Sequence, residues 1–248
     1  MTRTVCLALL SALFWLAPRA AFALGCKGTP YALDVVDKSW TQDADPPSID
    51  DDRLKVKPPA QGKTLIYRGV PLPEGEICLT LRSPNQMSDP SATEAGPVFR
   101  AWQVPGSSGY MFFALSPNGN AALRDCTVQP GPLLSSGQLH RSAEERAGHP
   151  AKQFADTSST SCRTTKSWPD VDGARKGPGG KNELRARWWR EESGGGIGVS
   201  LWVNSTKLAL DLSLEYLLGG GEVGLRAVSE KGRTDTWKFS DFTATELP

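Results

Sequence analysis

The sequence predicts an all-β fold, a sandwich of two antiparallel sheets, and three observations carry that reading. Between residues 182 and 247 apolar and polar residues alternate in short runs, as in Leu184, Ala186 and Trp188 or Val199, Leu201 and Val203, the period-two signature of strands with one buried face. Gly, Asn or Ser bounds most of these runs, and the glycines at 194–196 and 219–221 read as turns between strands, since neither has the strand-to-helix context of a phosphate loop. No internal repeat, heptad pattern or long amphipathic helix competes with this assignment.

At the start of the chain, Arg3 precedes an apolar run from Val5 to Leu16 and then Ala21-Phe-Ala23. A basic start, a short apolar core and an Ala-x-Ala site make a secretory signal peptide, with cleavage expected after Ala23. The apolar run is too short to span a membrane comfortably, and no later segment resembles a span. Leu24-Gly25-Cys26 leaves lipidation at Cys26 as an alternative. The expected organisation is a leader over 1–23 and a single β-sandwich domain over 24–248, placed in the periplasm or secreted. The chain has 28 basic and 27 acidic residues. Losing Arg3 and Arg19 with the leader puts the acids ahead by one, so no global basic field exists to attract nucleic acid.

Taken in order, residues 53–57 and 63–67 read as early strands. Residues 75–82 form a third, with Ile77, Leu79 and Leu81 on one face and Cys78 and Thr80 on the other. Residues 98–104 and 109–116 are neighbouring strands across a turn at 105–109, and 121–125 continues the meander after the turn Pro117-Asn-Gly119. From 126 to 181 the alternation stops. Pro, Gly, Ser, Thr and charges dominate, so this stretch reads as a long loop insertion, with Ser142-Ala-Glu-Glu145 a capping box for one short helix. The C-terminal strands follow at 182–190, 197–204, 208–212, 223–227 and 236–243.

Four cysteines survive loss of the leader: Cys26, Cys78, Cys126 and Cys162. An even number in an exported chain points to disulfides. Three pairings are open, and the favoured one joins Cys126 to Cys162, leaving Cys26 with Cys78. No Cys-x-x-Cys supports zinc or thioredoxin-like chemistry, and no metal ligand set is predicted. Asp43, Asp45 and Asp50 to Asp52 form an acidic cluster. It lacks the spacing and glycine of an EF-hand, so it reads as a solvated turn, with Ca²⁺ the only cofactor considered. Asn204-Ser-Thr206 has the pattern of a glycosylation acceptor and is read as a turn.

The pieces Val98-Phe-Arg100, Gly109-Tyr-Met-Phe112, Asn182-Glu-Leu-Arg185, residues 199–204, Gly221-Glu-Val-Gly-Leu225 and Trp237-Lys-Phe-Ser-Asp-Phe242 follow one another as in a known family. In that order they resemble the concanavalin A-like, laminin G-like jelly roll, closest to bacterial exported domains related to 3-keto-disaccharide hydrolases and laminarinase-type glucanases. The likeness spans roughly 50–245. It implies a concave sheet face that binds sugars and, as an alternative, glycoside hydrolysis with acids such as Glu183 or Asp241 drawn from different strands. Such motifs imply a fold more than an activity.

If Phe99 and Ala101 face the core, Arg100 and Trp102 face away, and Tyr110 and Phe112 join them from the next strand. By the same alternation Arg185, Arg187 and Trp189 face out, as do Ser200 and Trp202. Were these strands in one sheet, Arg100, Trp102, Tyr110, Phe112, Arg187, Trp189 and Trp202 would form one ligand-binding face. Aromatic rings stack on sugar rings and Arg donates to hydroxyls and carboxylates. Catalytic constellations are weaker. No Glu is followed two residues later by Asp, so the Glu-x-Asp-x-x-Glu arrangement is missing, and adjacent Glu191 and Glu192 point to opposite faces of a strand. No Gly-x-Ser-x-Gly occurs, and His140 and His149 both fall in the long loop. The expected function is a non-catalytic module that binds carbohydrate or a cell-envelope partner. A protein-interaction domain using the 126–181 loop is a further alternative.

Overall fold

The computed structural model describes residues 29–30, 48–50, 53–58, 63–104, 107–128, 160–192, 196–215, 221–229 and 236–247. The expected leader, Cys26, most of the acidic cluster, both histidines and the expected 142–145 capping box lie outside the described residues. So does the side chain of Trp102.

All of the described regular structure is strand: β1 (Thr29–Pro30), β2 (Ser48–Asp50), β3 (Arg53–Val56), β4 (Lys63–Pro71), β5 (Gly75–Arg82), β6 (Glu94–Val104) and β7 (Ser107–Leu115). β8 (Ala121–Val128), β9 (Thr160–Trp168), β10 (Lys181–Arg190), β11 (Gly196–Val203), β12 (Thr206–Glu215), β13 (Glu222–Val228) and β14 (Trp237–Glu246) follow. They form two antiparallel sheets. The eight-stranded sheet runs β12-β11-β10-β5-β14-β3-β2, with β1 beside β14, and the six-stranded sheet runs β4-β13-β6-β7-β8-β9.

One apolar core lies between the sheets. Ile77, Leu79, Leu81, Leu184, Ala186, Trp188, Val199, Leu201 and Val203 enter it from the eight-stranded sheet, and Phe99, Met111, Phe113, Leu123, Val223 and Leu225 enter from the other. Phe99 and Trp188 stack across the layers with centroids 5.1 Å apart. The Trp188 indole N–H donates to the Leu72 carbonyl at 3.2 Å, so its polar edge is satisfied although the ring is fully buried.

Among the bulges that break strict alternation, three carry a non-glycine residue at positive φ: Arg100 (51°), Asp211 (52°) and Asp241 (53°). In β6 the register steps from Phe99 opposite Met111 to Trp102 opposite Gly109, so Arg100 and Ala101 together face Tyr110. This corrects the simple alternation expected there. Ala101 leaves the inter-sheet core and packs on the far side with Val98, Tyr110 and Phe112. In β14 the bulge at Asp241 brings Phe242 into the core behind Trp237 and Phe239.

The 126–181 stretch also differs from the loop expected. Residues 160–168 form β9, the edge strand of the six-stranded sheet, hydrogen-bonded to β8. Most of its side chains are exposed and polar, so it carries no apolar rhythm for a sequence reading to find. Beyond it, residues 169–180 fold back through close backbone contacts, including Val171 N–H to Gly119 O and Gly177 N–H to Pro117 O.

Candidate functional site

The seven residues expected on one face are divided between two sheets. Arg100, Trp102, Tyr110 and Phe112 belong to β6 and β7 of the six-stranded sheet, whereas Arg187, Trp189 and Trp202 belong to β10 and β11 of the other. The condition for a single face therefore fails, because β10 pairs with β5 and β11 rather than with β6 or β7.

On the eight-stranded sheet, β10 and β11 alternate as expected. Arg185, Arg187 and Trp189 lie on the outer face, registered against Trp202, Ser200 and Gly198. A glycine is required at 198 by close approach: a Cβ there would lie 2.2–2.5 Å from Cε2, Cζ2 and Nε1 of Trp189. The half-buried indole of Trp189 thus rests over backbone that has no side chain to lift it away. Trp202, 9% exposed, is covered by the Arg185 guanidinium 4.5 Å from its ring centroid. Arg185 Nη2 donates to Glu76 Oε2 at 2.5 Å, so the cation that stacks on Trp202 is fixed by a carboxylate from β5. Arg187 lies between these two aromatic positions and is exposed, opposite the buried Ser200, whose Oγ accepts from the Asp211 N–H. This face therefore presents an exposed guanidinium and a partly open indole beside the hydrogen-bonded and stacked Arg185–Trp202–Glu76 cluster.

The outer face of the six-stranded sheet is different in kind. Tyr110 and Phe112 do point away from the inter-sheet core, but they are 1% and 0% exposed and pack in a second apolar cluster with Val98, Ala101, Ala114 and Cys126. Arg100 is 3% exposed, and its Nη1 donates to Pro73 O at 3.1 Å, tying the β6 bulge to the segment before β5. The sequence reading missed Arg226 of β13, which is 6% exposed. Its guanidinium carbon lies 4.6 Å from the Phe112 centroid and 5.8 Å from that of Tyr110. The signal was visible as a lone Arg in the apolar run Val223-Gly-Leu-Arg-Ala227.

Cys126 and Cys162 are disulfide-bonded, directly opposite each other on β8 and β9, as favoured from the sequence. Cys78 is disulfide-bonded as well. The carboxylates beside this face are engaged: Glu94 by Arg124 at 2.8 Å and Asp125 by Arg163 at 3.7 Å. Glu183 and Asp241, the acids considered for hydrolysis, both lie in the eight-stranded sheet. Glu183 is opposite Thr80, and Asp241 sits in the β14 bulge, where its Oδ2 accepts from Ser240 Oγ. Among the described residues no three His, Cys, Asp or Glu gather as a metal set. No described helix is long and apolar enough to cross a membrane.

No family model matches the chain. A comparison with curated proteins also returns no match. Among solved structures, the chain is similar to the carbohydrate recognition domain of Emp46p in its potassium-bound form, with 10% identity, a TM-score of 0.47, and coverage of 89% of this chain and 97% of that one. A legume lectin-like domain from Entamoeba histolytica matches at 10% identity and a TM-score of 0.42, over 82% of this chain and 88% of that one. The receptor binding domain of botulinum neurotoxin type G matches at 10% identity and a TM-score of 0.39. That match covers 79% of this chain, which spans only 40% of the toxin domain's length.

Proposed function

We propose that this protein is a non-catalytic carbohydrate-binding module that works outside the cytoplasm. Its contact residues are Arg187 and Trp189 on the outer face of the eight-stranded sheet. The observation that carries the reading is the arrangement of Trp189 over Gly198 with the exposed Arg187 beside it on the same strand. A partly open indole offers an apolar plane to a sugar ring, and a guanidinium supplies directional donors to hydroxyls or carboxylates. The neighbouring Arg185–Trp202–Glu76 cluster holds this part of the sheet rigid, which limits the ordering cost of binding. Two observations support an extracytoplasmic setting: the leader-like start of the chain and the Cys126–Cys162 disulfide.

The test is a titration of the chain from residue 24 with a panel of neutral and acidic glycans, read by tryptophan fluorescence. Wild type should show a saturable change with at least one glycan class, and Arg187→Ala and Trp189→Ala should weaken it tenfold or more without hydrolysis in any sample. Equal binding by both variants would remove these residues from the site.

A further inference from the structure

We propose that Cys126–Cys162 is a redox-active disulfide whose reduced thiolate is held by Arg226, with a small thiol or protein dithiol as the reductant. Arg226 Nη1 lies 3.5 Å from Cys126 Sγ and 3.3 Å from Cys162 Sγ. Those sulfurs are its only hydrogen-bond acceptors among the described residues, and its Nε has none. A buried guanidinium is normally matched by a carboxylate, yet here it is set over Phe112 and Tyr110 beside two weakly accepting sulfurs. Reduction would create the missing anion within 3.3–3.5 Å of the guanidinium nitrogen.

The chemistry is ordinary thiol–disulfide exchange. Cys126 is fully buried and Cys162 is half-buried, so the external thiolate attacks Cys162 Sγ. A new S–S bond forms between reductant and Cys162, the Cys126–Cys162 bond breaks, and the electron pair leaves on Cys126 Sγ as a thiolate beside Arg226. A second thiolate from the reductant then displaces Cys162 and departs as the oxidised disulfide, so both electrons come from the reductant. A leaving thiol of lowered pKa leaves faster, and a stabilised thiolate makes the disulfide more oxidising. The other charged groups around the bond are largely matched. On β8, Arg124 bonds Glu94 of β6 and Asp125 pairs with Arg163 of β9. From β7 the facing titratable group is the Tyr110 phenol. Arg226 is thus the cation left to act on the sulfurs. Opening the bond would also release the disulfide cross-link between β8 and the edge strand β9.

The experiment uses the chain from residue 24, fully reduced, with the rate of iodoacetamide alkylation measured against pH and read cysteine by cysteine by mass spectrometry. The more reactive of Cys126 and Cys162 should show a midpoint at least one unit below the ordinary thiol value of about 8.5. Arg226→Met should raise that midpoint, with Arg226→Lys lying between. Equilibration of the oxidised protein with graded dithiothreitol should leave wild type at least tenfold more reduced at this bond than Arg226→Met. A wild-type midpoint less than one unit below the ordinary value overturns the proposal even if no variant folds. So does a midpoint or reduction equilibrium that Arg226→Met leaves unchanged.

Discussion

The Arg226 guanidinium lies 4.6 Å over the ring of Phe112, on the face of the six-stranded sheet that points away from the inter-sheet core. No carboxylate among the described residues pairs with it. Its neighbours are aromatic rings and a disulfide.

A stability prediction follows for the oxidised protein. Removing one partner of a buried ion pair is costly, whereas replacing an unmatched buried charge with an apolar side chain of similar length is often neutral or stabilising. Arg226→Met should leave the melting temperature unchanged or higher. Phe112→Ala should cost about 3–5 kcal/mol, as for other buried aromatics. Thermal unfolding of both variants checks the contrast, and a large loss in Arg226→Met would show that the contacts of the guanidinium with the rings and sulfurs outweigh the cost of burying it.

Gly198→Ala tests the platform beneath Trp189. The added Cβ would meet the indole at 2.2–2.5 Å, so the ring must move. The expected cost is about 1–3 kcal/mol, typical of overpacking, with an altered tryptophan emission spectrum. In the Trp189→Ala background the same change should cost much less, because the clash is gone. A double-mutant cycle measures this, and additive losses would mean that the two residues do not touch.

These two faces show what the sequence made legible and what it did not. Leu184, Ala186 and Trp188 in β10 and Val199, Leu201 and Val203 in β11 enter the core as their alternation predicts. Arg187, Trp189 and Trp202 accordingly point out. Sheet membership was not legible, because β5 pairs with β10 and β14, far along the chain, and local patterning does not encode partners. The orientation of Ala101 failed for another reason: the β6 bulge inserts one residue, and a one-residue shift reverses the faces. The surroundings of Arg226 are not marked by local pattern, because the strands that flank its own, β4 and β6, lie far along the chain. The β9 strand was missed because an exposed polar edge has no buried face to mark it.

The β14 bulge gives a register test. With Asp241 at φ 53°, Phe242 rather than Asp241 faces the core. Phe242→Ala should cost about 3–5 kcal/mol, whereas Asp241→Gly should be close to neutral, because glycine accepts positive φ without strain. Denaturant unfolding distinguishes them, and a larger loss for Asp241→Gly would contradict the bulge.

Asn204 closes the β11–β12 turn with φ 52°. Its Oδ1 accepts from the Glu183 N–H at 2.8 Å, and its Nδ2 donates to Gly173 O and Asn182 Oδ1. The glycosylation-like pattern is thus a turn whose amide is already in use. Asn204→Ala loses these bonds and takes on a strained φ, for an expected cost of about 2–4 kcal/mol. Asn204→Gly loses the same bonds but accepts the positive φ without strain and should cost less. Urea unfolding of the pair sets the order, and the reverse order would contradict this role.

Sugar binding by the outer face of the eight-stranded sheet is tested by comparing wild type with Arg187→Ala in parallel fluorescence titrations against the glycan panel. Arg187 is exposed, so its loss should change stability by no more than about 0.5 kcal/mol. Wild type should bind saturably, the variant should bind at least tenfold more weakly, and the two melting curves should superimpose. Binding that survives unchanged in Arg187→Ala, or silence of wild type across every glycan, would contradict sugar binding by this face.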